Sequence, residues 1–127
     1  MPRTFLTLAA IVACAMLAIV PGASAKTAPK PCTTTSPNVI GKTVKGSLTS
    51  SNVDPSQARF ATCAHAKEVM KKTTELRVEE PRSTKAFYCV PTVKQVDPDL
   101  VSYKCIFKGA DTATFIKLTF QVKYDQD

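Results

Sequence analysis

Four cysteines, Cys32, Cys63, Cys89 and Cys105, limit the fold of this chain more than any other feature. They are scattered, with no C-x-x-C pair, and the chain has a single histidine, His65, so their spacing does not suit a metal centre. An even set of cysteines in a short exported chain reads instead as two disulfides. At this size the staples matter. A domain of about 100 residues buries a limited core, and each cross-link adds roughly 3 kcal/mol.

Cys14 belongs to a different kind of segment. Met1-Pro2-Arg3 is followed by an apolar run from Phe5 to Val20, the breakers Pro21-Gly22, and the small-residue site Ala23-Ser24-Ala25. This anatomy predicts a signal peptide over residues 1–25, cut between Ala25 and Lys26. The apolar run is about 16 residues, short of the ~20 that a spanning helix needs. Cys14 does not close the run as a lipobox cysteine would, because Ala15–Val20 continues it, so no lipid anchor is expected. The expectation is a soluble protein that is secreted, or periplasmic in a bacterial source, with no transmembrane segment after cleavage.

The 17 basic and 10 acidic residues give a net charge of +7; losing Arg3 leaves 16 against 10, and +6, with His65 neutral. Such a balance favours anionic polysaccharide, lipid headgroups or an acidic protein as partner. It also serves plain solubility. Nucleic acid fits least, since aromatic residues for base stacking are scarce among the lysines considered below.

Residues 26–38 read as a proline-rich extended arm, because Pro29, Pro31 and Pro37 forbid helix. Residues 39–127 read as a single small α+β domain, opening with a weak strand over Val39–Leu48. The spacing then predicts a helix over 52–73. Asp54 is its N-cap, Pro55 takes the first turn, and Gln57 closes a capping box. Its buried stripe is read as Phe60, Cys63, Ala64, Lys67 and Met70. Residues 74–80 fit two continuations, a helix running on to Arg77 or a short strand through Leu76 and Val78.

Three antiparallel strands follow, Thr84–Val93, Leu100–Lys108 and Ala113–Tyr124, with turns at Asp97–Asp99 and Gly109–Thr112. In the last, Ile116, Leu118, Phe120, Val122 and Tyr124 share one face. A four-residue loop at 109–112 sets Cys105 opposite Ile116, Tyr103 opposite Leu118, Val101 opposite Phe120 and Lys104 opposite Lys117. Ile106 and Phe115 then pair on the outer face. A turn centred on Asp97 sets Cys89 opposite Cys105 and Phe87 opposite Phe107. Pro91 places its strand at an edge or a bulge. The register favours disulfides Cys89–Cys105 and, by remainder, Cys32–Cys63. The rival set joins Cys63 to Cys89 or Cys105 across the core, and cysteines facing each other from helix and strand sustain it.

The predicted architecture is α+β, with one amphipathic helix packed on an antiparallel sheet of four to five strands and two disulfides. The layout is similar to the cystatin-like architecture in element order and size only. The Gln-x-Val-x-Gly loop of cystatins has no counterpart, since Gln95-Val96-Asp97-Pro98-Asp99 does not fit it, and the chain has no tryptophan for their second loop.

No catalytic constellation is legible. His65 is the one histidine and reads as a partly exposed helix residue; Glu75, Glu79 and Glu80 read as a solvated connection; no G-x-S-x-G is present. No enzyme activity, cofactor or metal is expected. The reading is a small secreted, disulfide-stabilised binding protein that contacts an anionic surface or polymer through Lys104, Lys108, Lys117 and Lys123. The alternative is an inhibitor or effector acting through the loops at 97–99 and 109–112 and the proline-rich arm. A small hydrolase comes third.

Overall fold

Strict alternation of apolar and polar residues in the C-terminal half demands a sheet with one buried and one open face. The computed structural model describes residues 28–96, 98–109 and 113–125. The signal peptide expected over residues 1–25, its expected cleavage site at Ala25 and Lys26, Asp97 and 110–112 lie outside the described residues. Six strands form one antiparallel sheet: β1 (Lys30–Thr35), β2 (Thr43–Ser51), β3 (Arg82–Thr84), β4 (Phe87–Gln95), β5 (Leu100–Phe107) and β6 (Phe115–Lys123). Their spatial order is β1-β2-β6-β5-β4-β3. One α-helix, α1 (Cys63–Glu75), buries Ala66, Val69 and Met70 in a core shared with Val44, Leu48, Ile116 and Leu118 of the sheet. The α+β class is as the sequence indicates. The strand count is six rather than four to five.

Both extra strands have local causes. The proline-rich segment does not stand apart as an arm: from Lys30 it is the edge strand β1, paired with β2 from Lys30↔Leu48 to Thr35↔Thr43. A sheet edge is where a proline such as Pro31 is tolerated. β3 arises because the expected strand Thr84–Val93 is cut by a two-residue turn. Lys85 and Ala86 both have positive φ, 48° and 70°, the geometry that folds a strand back on itself. β2 begins later than the Val39–Leu48 reading, at Thr43, after a turn through Gly41 (φ 83°) and Lys42 (φ 60°).

The expected helix over 52–73 is two pieces. Asp54 caps a 3-10 segment, Pro55–Ala61, by accepting from the Ser56 N–H at 2.9 Å. Thr62 then leaves helical geometry (φ −115°, ψ 152°) and caps α1, accepting from the His65 N–H at 3.3 Å. That break resets the helical phase. Ala64 and Lys67 are therefore exposed, and the buried side runs through Ala66, Val69, Met70, Thr73 and Thr74. The capping box does not close either: Gln57 Oε1 is buried without a hydrogen-bond partner. At the other end α1 stops at Glu75. The Arg77 N–H bonds the Thr74 carbonyl at 3.1 Å and the Val78 N–H bonds the Thr73 carbonyl at 3.2 Å, with Arg77 at φ 46°. This is a Schellman-type ending with arginine where glycine is usual. Residues 74–80 thus follow neither expected continuation.

The disulfides are Cys32–Cys63 and Cys89–Cys105, with Cα separations of 5.3 and 3.9 Å. The first ties the edge strand to the start of α1, and the second links directly opposite residues of β4 and β5. Their sequence separations, 31 and 16, correspond to roughly 3–4 kcal/mol each in the chain-entropy treatment. Phe87 faces Phe107 as expected. Pro91 lies past the end of β3, and a register shift follows at Val93/Gln95, so it sits where an open edge and a bulge meet.

The β5–β6 register differs from the expected one by two residues. Cys105 faces Leu118 rather than Ile116, Tyr103 faces Phe120, and Val101 faces Val122. A shift of two leaves every side chain on its face, so alternation alone cannot distinguish the registers. The connection is longer than the four-residue loop assumed from Gly109–Thr112, since β5 ends at Phe107 and β6 begins at Phe115. Two pairings change in consequence. Lys104 faces Thr119 rather than Lys117, and Ile106 faces Lys117 rather than Phe115, which lies opposite Ser51.

Candidate functional site

α1 covers one face of the sheet, and among the described residues the other is open. Alternation on β4, β5 and β6 sends Tyr88, Val90, Thr92, Ser102, Lys104, Ile106, Lys117 and Thr119 to the open side, opposite in direction to the buried Cys89, Cys105 and Leu118. The registers then place these residues in rows. One row runs Thr49, Lys117, Ile106, Tyr88, Ser83 across five strands; the next runs Ser47, Thr119, Lys104, Val90 across four.

Ile106 sits at the middle of a cationic ring. Lys117 and Tyr88 flank it on the neighbouring strands, and Lys104 lies two residues away on β5. On the other side Lys108 crosses above Tyr88, its Nζ 4.3 Å from the ring centroid. That cation–π contact is worth about 0.5–1 kcal/mol at an exposed site and keeps the ammonium over the sheet. Tyr88, Val90, Thr92, Lys104, Ile106 and Lys108 line a groove of about 470 Å³.

The charge pattern reinforces the geometry. None of the six strands carries an aspartate or glutamate, and all their charged side chains are lysine or arginine. The described acids lie on α1 (Glu68, Glu75), in the connection after it (Glu79, Glu80), and at Asp54, Asp99 and Asp125. Among the described residues, therefore, no acid stands on a strand beside the lysines of the open face.

Of the four lysines singled out in the sequence, Lys104, Lys108 and Lys117 come together around Ile106. Lys123 does not join them; it lies at the far end of the β5–β6 pair, opposite Leu100. Sequence reasoning missed Tyr88, Val90 and Thr92. Their signal was present, because the register that sets Cys89 against Cys105 also sets Tyr88 against Ile106 and Val90 against Lys104.

His65 is partly exposed, with 15% of its side chain accessible. Its ring lies 5.5 Å from Phe87 and edge-on to Phe60 at 5.0 Å. Nε2 is 2.7 Å from the Lys85 carbonyl, which can only accept, so Nε2 carries the proton. The histidine ties the start of α1 to the β3–β4 turn. Glu79 and Arg77 line a recess of about 330 Å³ with Val93, Val96 and Tyr124, and there Arg77 pairs with Asp99 at 3.1 Å.

Among the described residues no group of three or more His, Cys, Asp or Glu could hold a metal ion, and no helix is long and apolar enough to cross a membrane. Comparison with protein-family models, with curated proteins and with solved structures gives no match.

Proposed function

We propose that this protein is an exported, non-enzymatic binding module that engages an anionic surface or polymer through the open face of its sheet. The observation that carries the reading is the cluster around Ile106 of Lys104 and Lys117, on strands that hold no acidic residue, and Lys108, just past the end of β5. The open face is broad and hydrogen-bonding, with Ser47, Thr49, Ser102, Thr119 and Gln121 between the lysines, and such a surface suits an anionic partner. Export fits the leader anatomy and the two disulfides.

Sedimentation with vesicles containing phosphatidylglycerol tests the reading. Each lysine near an anionic surface contributes about 1 kcal/mol, so Lys104→Gln with Lys117→Gln weakens binding roughly thirtyfold. Binding of the native protein falls steeply between low and physiological salt. Unchanged binding by the double variant would remove the open face from the mechanism.

A further inference from the structure

We infer that the groove on the open face is a site for an anionic amphiphile, an acid head group carrying an aliphatic chain. The inference rests on the anion-binding reading above and deepens it by naming the ligand class. A purely electrostatic face needs no apolar floor, yet this one has Val90, Ile106 and the ring of Tyr88 between the lysines. Val90 is 38% exposed and Ile106 partly so, although the fold has a buried face for such side chains. Tyr88 and Val90 on β4 and Ile106 on β5 are neighbours in the registers, so the lysines surround a contiguous apolar floor rather than single scattered side chains.

The groove volume of about 470 Å³ lies within the range of small-molecule sites. Charge complementarity fixes the polar end of the occupant. Lys104 on β5 and Lys108, the residue after its last, stand on either side of Ile106, about 13 Å apart at Cα from an extended-chain rise, and their flexible stems reach inward toward a head group above Ile106. Lys117 faces the same residue from β6. The absence of acids on all six strands means that an anionic head meets no repulsion there. From that head the chain runs over Val90, with Thr92 at the end of the groove.

Decanoate below its micellar concentration is the probe, with acetate (charge without chain) and 1-decanol (chain without charge) as controls. Methyl resonances of Val90 and Ile106 report the site, and those of the buried Val69, Ile116 and Leu118 report the fold. Decanoate is expected to shift Val90 and Ile106 saturably, at least tenfold more tightly than either control. Ile106→Thr, which keeps a β-branched residue in the strand, is expected to weaken decanoate at least fivefold. Lys104→Gln with Lys108→Gln is expected to weaken both decanoate binding and heparin retention. Decanoate binding no tighter than acetate overturns the inference, as does decanoate binding that Ile106→Thr leaves unaltered or shifts spread over the other exposed valines, Val93 and Val96. Loss of native heparin retention overturns the broader anion-binding reading instead, so the two failures are distinguishable.

Discussion

Tyr103 and Tyr124 meet hydroxyl to hydroxyl at 2.6 Å inside the core, and Tyr103 also donates to the Val78 carbonyl at 2.6 Å. Burial is the largest influence on both phenols and pushes each pKa upward. An unfolded tyrosine ionises near pH 10. With the folded values raised, the stability these residues contribute is complete below pH 10 and is lost as pH climbs above it, because the unfolded state releases its protons first. Phenolate absorbance followed beside far-UV circular dichroism checks this. The expected result is that Tyr103 and Tyr124 ionise only in step with loss of the dichroism; ionisation of both near pH 10 in a folded protein would contradict it. Arg77 shows a second residue-level balance. Its left-handed backbone at φ 46° costs about 1 kcal/mol, offset by the ion pair with Asp99 and by the guanidinium over the Tyr124 ring at 4.9 Å.

Among the elements, the β3–β4 hairpin governs how Tyr88 reaches the open face. Its turn asks for two left-handed residues, a geometry that Asn-Gly meets readily, and has Lys85 and Ala86 instead. Ala86→Gly removes a left-handed penalty of about 1–2 kcal/mol against a chain-entropy cost of about 0.4–1 kcal/mol, and is expected to stabilise by roughly 0.5–1 kcal/mol. A urea midpoint that falls, or stays in place, would show that the turn is not the strained point it is taken to be. This turn also marks what the sequence hides. Nothing in Thr84–Val93 signals a reversal, since neither residue at its tip is a customary turn former. Alternation was legible, and with it the inward faces of β5 and β6 and the Cys89–Cys105 pair. The register of β5 against β6 was not, because a shift of two conserves the pattern and only the loop length chooses between them. The helix start was half legible: Asp54 caps as its sequence suggests, but the break at Thr62 depends on the tie from Cys63 to Cys32 and the ring contacts of His65, which are tertiary.

On the scale of the whole molecule, charge is segregated by secondary structure. The charged side chains of the strands are all basic, while α1 mixes Lys67, Lys71 and Lys72 with Glu68 and Glu75. The lysines of the site were readable from sequence, but their grouping was not. It took the observed register to bring Lys117 beside Ile106 and to leave Lys123 outside. The central proposal is that this protein binds anions through the position of these lysines and not through net charge. It is tested most directly by two variants of equal charge on opposite sides of the fold. One replaces Lys104, Lys108 and Lys117 of the open face by glutamine, and the other replaces Lys67, Lys71 and Lys72, which are exposed on the helix. Their elution from a heparin column in a salt gradient is the measurement. The open-face variant is expected to elute at much lower salt than the native protein, and the helix variant close to it; equal displacement of the two would contradict the claim.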